Sequence, residues 1–179
     1  FASSGNEEDS DPAVNAPDRI LAALAAYALY QHVGKKKPTI LVGLDARPTG
    51  AHLGSIVVHT LLSLGADVRY LFITAAPQIM ADTNLRPEET DAFFYISASH
   101  NPIGHNGFKF GKEGGVYGPK DAERLAERFR ELVGDGLTHF SLLQTYAQAL
   151  DPRIYRETLE QAACERKKSA ERYRTLALT

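Results

Sequence analysis

The residues best equipped for chemistry stand close together: Ser97-Ala98-Ser99-His100-Asn101-Pro102 and, after a short bridge, Asn106-Gly107-Phe108-Lys109. A serine hydroxyl is a weak nucleophile until a base, a metal or phosphorylation changes its state. The hydrolase elbow needs glycine two residues before and after its nucleophile. Around Ser99 those positions hold Ser97 and Asn101, which disfavours acyl-enzyme chemistry. His100 is a poor base for Ser99, because adjacent residues on an extended chain point in opposite directions. Backbone N–H groups, Ser and Asn side chains and a nearby lysine suit a phosphate better, and phosphorylation would give Ser99 nearly two negative charges. The competing reading is that Ser, His, Asn and Pro are good turn formers and nothing more.

The elements that must position this loop are legible on either side of it. Ala92-Phe93-Phe94-Tyr95-Ile96 is a strand that runs straight into Ser97, and Phe108-Lys109-Phe110 is a short strand returning from the loop. A buried strand ending in Ser, His and Asn sets those side chains at the carboxyl end of a sheet, where open α/β sheets bind ligands. Upstream, residues 1–16 read as a polar loop. Asn15 is placed as N-cap and Pro17 in the first turn of a helix carrying Ile20, Leu21, Leu24, Tyr27 and Ala28, which Gly34 closes. Thr39 to Leu44 lacks polar alternation, as a strand buried on both faces does. Asp45-Ala46-Arg47-Pro48-Thr49-Gly50 breaks it. A helix with Leu53, Ile56, Val57, Thr60, Leu61 and Leu64 on one face follows, then a strand from Asp67 to Ile73 and a short helix from Pro77 to Asn84.

Gly111 to Gly118 holds glycines at 111, 114, 115 and 118 and reads as a tight hairpin. Pro119 to Val133 is an amphipathic helix with Gly134 as its expected C-cap. The alternation of helix and strand predicts an α/β fold: a three-layer α/β/α domain with a mostly parallel sheet, plus a C-terminal helical extension. We place the domain at residues 1–140 and the extension at 141–179. From Leu142 the tail shows a thin stripe, including Tyr155, Leu159, Ala162 and Tyr173, and reads as one long surface helix in need of something to pack on.

Composition narrows the classes. With 44% hydrophobic and 23% charged residues the chain can build a packed core. A net charge of −2 without a basic, aromatic-interleaved stripe argues against nucleic acid. No apolar run reaches the ~18 residues a membrane span needs, and no basic-then-apolar leader opens the chain. A single cysteine, Cys164, rules out an internal disulfide and fits a reducing, cytoplasmic setting. The acidic run Glu7-Glu8-Asp9 with Asp11 reads as solvated; His32, His52, His59 and His139 lack metal-ligand spacing, and His105 with His100 is a lone pair in one loop that does not make a metal site by itself.

Residues 99–109 resemble the active-site signature of the α-D-phosphohexomutase superfamily, the phosphoglucomutases and phosphomannomutases. Its usual form is T-A-S-H-N-P, a few residues, then N-G-x-K; here Ser97 replaces the leading Thr and keeps the hydroxyl. Asp45-Ala46-Arg47-Pro48-Thr49 resembles the family's D-x-R-x-S segment, Phe1-Ala2-Ser3-Ser4-Gly5 its opening F-G-T-S-G, and Gly114-Gly115 its glycine pair. The resemblance covers roughly residues 1 to 134, that family's first domain. It implies that Ser99 carries the phosphoryl group and gives one phosphate oxygen to Mg²⁺. Lys109 would act in proton transfer or electrostatic support, with His100 assisting. Ser4, Arg47 and Asn101 would line the phosphate-binding cleft. The implied reaction moves a phosphoryl group between the 1- and 6-positions of a hexose phosphate by way of a hexose 1,6-bisphosphate.

The chain departs from the family in three places. Gly5 is followed by Asn6-Glu7-Glu8-Asp9 rather than by an aromatic or aliphatic residue and an arginine, which suggests a discontinuity between Gly5 and Asn6. The Thr-Pro expected after the second strand is Ala76-Pro77. No D-G-D-x-D-R metal loop, G-E-x-S-G segment or C-terminal phosphate loop occurs; in the family these belong to the second, third and fourth domains. The expectation is a first domain, inactive alone, in which Mg²⁺ binds weakly or not at all. A stand-alone, non-catalytic paralogue that binds a phosphosugar or a partner is the alternative. A reading frame continuing into D-G-D-x-D-R would speak for the enzyme. Fluorophosphonate labelling of Ser99 would instead favour a hydrolase. Exposed domain surface and the tail helix offer a route to a homo-oligomer.

Overall fold

A computed structural model describes residues 10–178. Ser4, the opening Phe1–Gly5 segment and the expected discontinuity after Gly5 lie outside the described residues. Helix α1 (Ala16–Val33) starts where the Asn15 side chain accepts a 2.8 Å hydrogen bond from the Asp18 N–H, and Pro17 sits in its first turn. It stops at Gly34, whose φ of +69° is the left-handed conformation a C-terminal cap requires. The order continues β1 (Thr39–Leu44), α2 (Gly50–Ser63), β2 (Asp67–Ile73), α3 (Ala76–Leu85), β3 (Ala92–Ile96), β4 (Phe108–Lys112), β5 (Gly115–Val116), α4 (Pro119–Gly134), α5 (Gly136–Ala149) and α6 (Pro152–Ala177).

The sheet order is β2-β1-β3-β4-β5, with β1 parallel to both β2 and β3, and with β4 and β5 returning as an antiparallel hairpin. The chain moves outward from β1 to β2 and then crosses back to β3. Right-handed crossovers running in opposite directions put their helices on opposite faces. The core divides accordingly. Ile40, Val42, Leu44, Phe94 and Ile96 face α1 and α2, while Leu41, Phe93 and Tyr95 face Ile79 of α3. Leu125 and Leu132 of α4 and Leu143 of α5 extend the first layer against Leu24 of α1. The α/β/α body and the helical C-terminal region are therefore both present. A further consequence is that β1 and β3, paired through Leu44 and Ile96, send their connections away in opposite directions from adjacent carboxyl ends, towards β2 and β4. The crevice outside those ends, the topological switch point, is where sheets of this kind take ligands.

Two local expectations are corrected. The tail is two helices, not one: Leu150 is extended, Asp151 caps α6 by accepting from the Arg153 N–H at 2.9 Å, and Pro152 opens the new helix. Asp-Pro is a helix-start signal that the continuous stripe concealed. Gly134 lies inside α4, and Asp135 is the cap. The position chosen to divide domain from extension, residue 140, falls within α5. No described helix is long and apolar enough to cross a membrane.

The stripe of α6 packs on this domain. It lies against the edge strand β2 and against α3, with Ala162 buried in the main core and the Tyr155 and Ser55 hydroxyls 2.7 Å apart. Asp82 of α3 is fully buried; its carboxylate accepts from Arg86 at 2.6 Å and from Arg172 of α6 at 3.1 Å. Asp82→Ala is expected to cost about 3 kcal/mol, the low end for breaking a buried pair, because both guanidinium groups keep a path to water. Urea unfolding measures this, and a loss under about 1 kcal/mol would show that the pair does not anchor α6.

Candidate active site

The loop after β3 is built by short-range hydrogen bonds. The Ser97 N–H donates to the Gly107 carbonyl at 2.8 Å, closing the loop at its base. The Ser99 N–H then donates to Ser97 Oγ at 3.0 Å, and Ser99 itself takes φ +57°, a left-handed conformation unusual for a residue with a side chain. Turns follow, from the Asn101 N–H to the Ala98 carbonyl and from the His105 N–H to the Pro102 carbonyl. Ser99, His100 and Asn101 are exposed at the rim, whereas Ser97 and Ala98 are buried. The Ser99 hydroxyl is thus raised above a sealed base, on left-handed backbone.

Lys109 reaches that hydroxyl. Its Nζ donates to Ser99 Oγ and stands 5.9 Å from the centre of the Tyr95 ring. The register explains the placement, since Tyr95 and Lys109 are opposite each other across the β3–β4 pair. Tyr95 is buried and donates its hydroxyl to the Thr74 carbonyl at 2.9 Å. Burial, with Asp45 nearby, pushes its phenol above the usual range, so it stays neutral under the ammonium. Lys109, not His100, is thus the group on the serine, and His100 stands beside it on the rim.

Arg47, from the β1–α2 loop, meets the same loop from the other side of the crevice. Nε donates to Asp45 Oδ2 at 3.1 Å; Nη1 donates to the carbonyls of Pro102 and, at 3.0 Å, His105; Nη2 donates to those of Ser99 at 2.8 Å and Asn101 at 2.7 Å. The resemblance put Arg47 in the cleft, and the structure brings it there, but its donors are turned onto the loop. Two residues that the sequence reading gave no role lie beneath. Asn106 is buried and donates from Nδ2 to the Thr49 hydroxyl at 3.1 Å, while its Oδ1 accepts from the Gly107 N–H. The available signal was a carboxamide beside a glycine in a loop that had to close on itself.

Among the described residues no group of three or more His, Cys, Asp or Glu side chains could hold a metal ion, and the carboxylate of Asp45 is already held by Arg47. These residues do not by themselves fit a Mg²⁺ site.

The family profile described as phosphoglucomutase/phosphomannomutase, alpha/beta/alpha domain I, matches residues 10–133, the stretch containing Arg47, Ser99 and Lys109. The chain therefore belongs to the phosphoglucomutase/phosphomannomutase family and carries its domain I. A phosphoglucosamine mutase of Staphylococcus saprophyticus is 34% identical over 129 residues, 68% of this chain and 28% of that protein. One from Clostridium tetani is 40% identical over 103 residues, 58% of this chain and 22% of that protein. The chain thus spans about a quarter of the length of these relatives. A solved phosphoglucomutase/phosphomannomutase family protein from Burkholderia thailandensis is 24% identical, with a TM-score of 0.46 over 63% of this chain and 25% of that one.

Proposed function

We propose that the complete protein is a cytoplasmic phosphohexomutase with Ser99 as its phosphoryl carrier. The observation that carries this reading is the exposed Ser99 hydroxyl, held in left-handed backbone and bonded to Lys109 at the switch point of the sheet. In the transfer step a sugar hydroxyl oxygen attacks the phosphorus of phosphorylated Ser99, and the Oγ–P bond breaks. The proton of that hydroxyl passes through Lys109 to Ser99 Oγ, leaving neutral serine and a hexose 1,6-bisphosphate. The bisphosphate turns over, and its other phosphoryl group returns to Ser99 by the reverse step. Phosphoryl transfer needs chiefly positioning and charge compensation, and Lys109 supplies both at the leaving oxygen. In this reading Asn101 and His100, exposed on the rim, meet the sugar phosphate together with Ser4.

Both relatives named above are phosphoglucosamine mutases, which favours an amino-hexose phosphate as substrate. A phosphate on Ser99 would offer an oxygen to Mg²⁺ in the complete protein, where the ion would offset charge on the transferring group. Residues 1–179 alone do not turn over. The test uses hexose 1,6-bisphosphate carrying radioactive phosphorus, applied to the full-length protein. Label is expected on the peptide containing Ser99 and absent from the Ser99→Ala variant. Turnover without label on Ser99 would overturn the proposal. Robust conversion of glucosamine 1-phosphate to the 6-phosphate by residues 1–179 would overturn the claim that this part is inactive.

A further inference from the structure

We infer that Arg47 is a positioning residue for the reaction: it acts through the loop, holding the Ser99 hydroxyl on Lys109, and is not a ligand for substrate phosphate. This rests on the reading of Ser99 as the phosphoryl carrier. A guanidinium has five N–H donors in a fixed planar fork and no acceptor. In Arg47 five contacts use them: one to Asp45 and four to the carbonyls of Ser99, Asn101, Pro102 and His105. The side chain is 11% exposed, so no donor and little surface are left for an anion arriving from solvent.

The clamp also answers a problem that the loop creates. Four carbonyl oxygens converge on one point, an arrangement that repels itself without a cation at its centre. Asp45 fixes the fork in turn, its Oδ1 accepting from the Arg47 N–H and its Oδ2 from Nε. Ser99 contributes one of the four carbonyls while its own backbone is left-handed. Releasing the fork frees that peptide to relax, and the hydroxyl then swings off Lys109. Lysine in place of Arg47 would keep the charge but offer only a point-like ammonium, unable to span four separate acceptors.

The experiment places phosphoserine at position 99 of the 179-residue chain and follows its second ionisation by phosphorus NMR across pH. An ammonium in contact favours the dianion, so the midpoint should lie about one pH unit below the ordinary value near 6. Lys109→Met is expected to return it to the ordinary value. Arg47→Lys should return it most of the way, and the double variant should go no further than Lys109→Met alone. Because Arg47→Lys conserves charge, a shift in that variant reports geometry. If Lys109→Met moves the midpoint and Arg47→Lys leaves it in place, the role given to Arg47 fails while the function stands. If Lys109→Met itself has no effect, the Ser99–Lys109 arrangement behind the proposed function fails. Should Arg47→Lys not fold, Asp45→Asn, which keeps the fork and loosens its support, is expected to move the midpoint part of the way; an unmoved midpoint there overturns the inference.

Discussion

Lys109→Met is expected to lower kcat of the full-length protein by about 10²–10⁴-fold, the range for removing a positioned acid–base or charge-stabilising group. Lys109 donates to Ser99 Oγ, the atom on which charge develops as the bond to phosphorus breaks. Methionine preserves the length and apolar stem of the side chain and deletes only the ammonium. The fold should hardly notice. Lys109 is partly exposed, its contact with Tyr95 is a 5.9 Å approach to the ring, and the strand pairing on either side belongs to the backbone. Kinetics with glucosamine 1-phosphate, beside a thermal melt, separate the two effects. A fall of less than about 10-fold in kcat would remove Lys109 from the chemistry.

Two residues along the same strand, Gly111→Ala is expected to do the opposite and strongly destabilise the fold. A Cβ at 111 would sit 2.0 Å from the backbone oxygen of Gly115 and 2.6 Å from the ring of Phe93. Neither neighbour can give way. Gly115 is tied into the β4–β5 hairpin, and Phe93 is fully buried among Leu41, Leu71 and Ile79. Overpacking against rigid neighbours belongs at the exceptional end of single substitutions, about 4 kcal/mol or more. A domain stabilised by only about 5–15 kcal/mol then has little margin left. Gly118→Ala is the control, because a Cβ there meets nothing within 4 Å and φ is −65°. Comparable urea midpoints for the Gly111 and Gly118 variants would show that the hairpin does not press on Phe93 as closely as described.

What the amino-acid order determined by itself is the set of features whose causes lie within a few residues. Asn15 and Gly34 bound α1 because a side-chain acceptor and a left-handed glycine act locally on the backbone. The unbroken apolar run of β1 announced a strand buried on both faces, that of β3 a buried strand, and the polar break after Ile96 announced a loop at a sheet's carboxyl end. Even the break at Asp151-Pro152 was written locally, though the stripe running past it masked it. Tertiary structure decided everything that depends on which distant groups meet. Lys109 stands on Ser99 because antiparallel register sets it opposite Tyr95, and a slip of one residue would turn it to the other face. Nor could any spacing reveal that Arg47 spends its donors on four carbonyls of a loop some fifty residues away, or that Asn106 finds Thr49. The thin stripe of α6 showed a surface to be covered, but only packing against β2 and α3 showed by what. Hydrogen-bond partners and packed faces are chosen by convergence in space, and a residue's type records its capacity for such contacts without naming the group that will fill it.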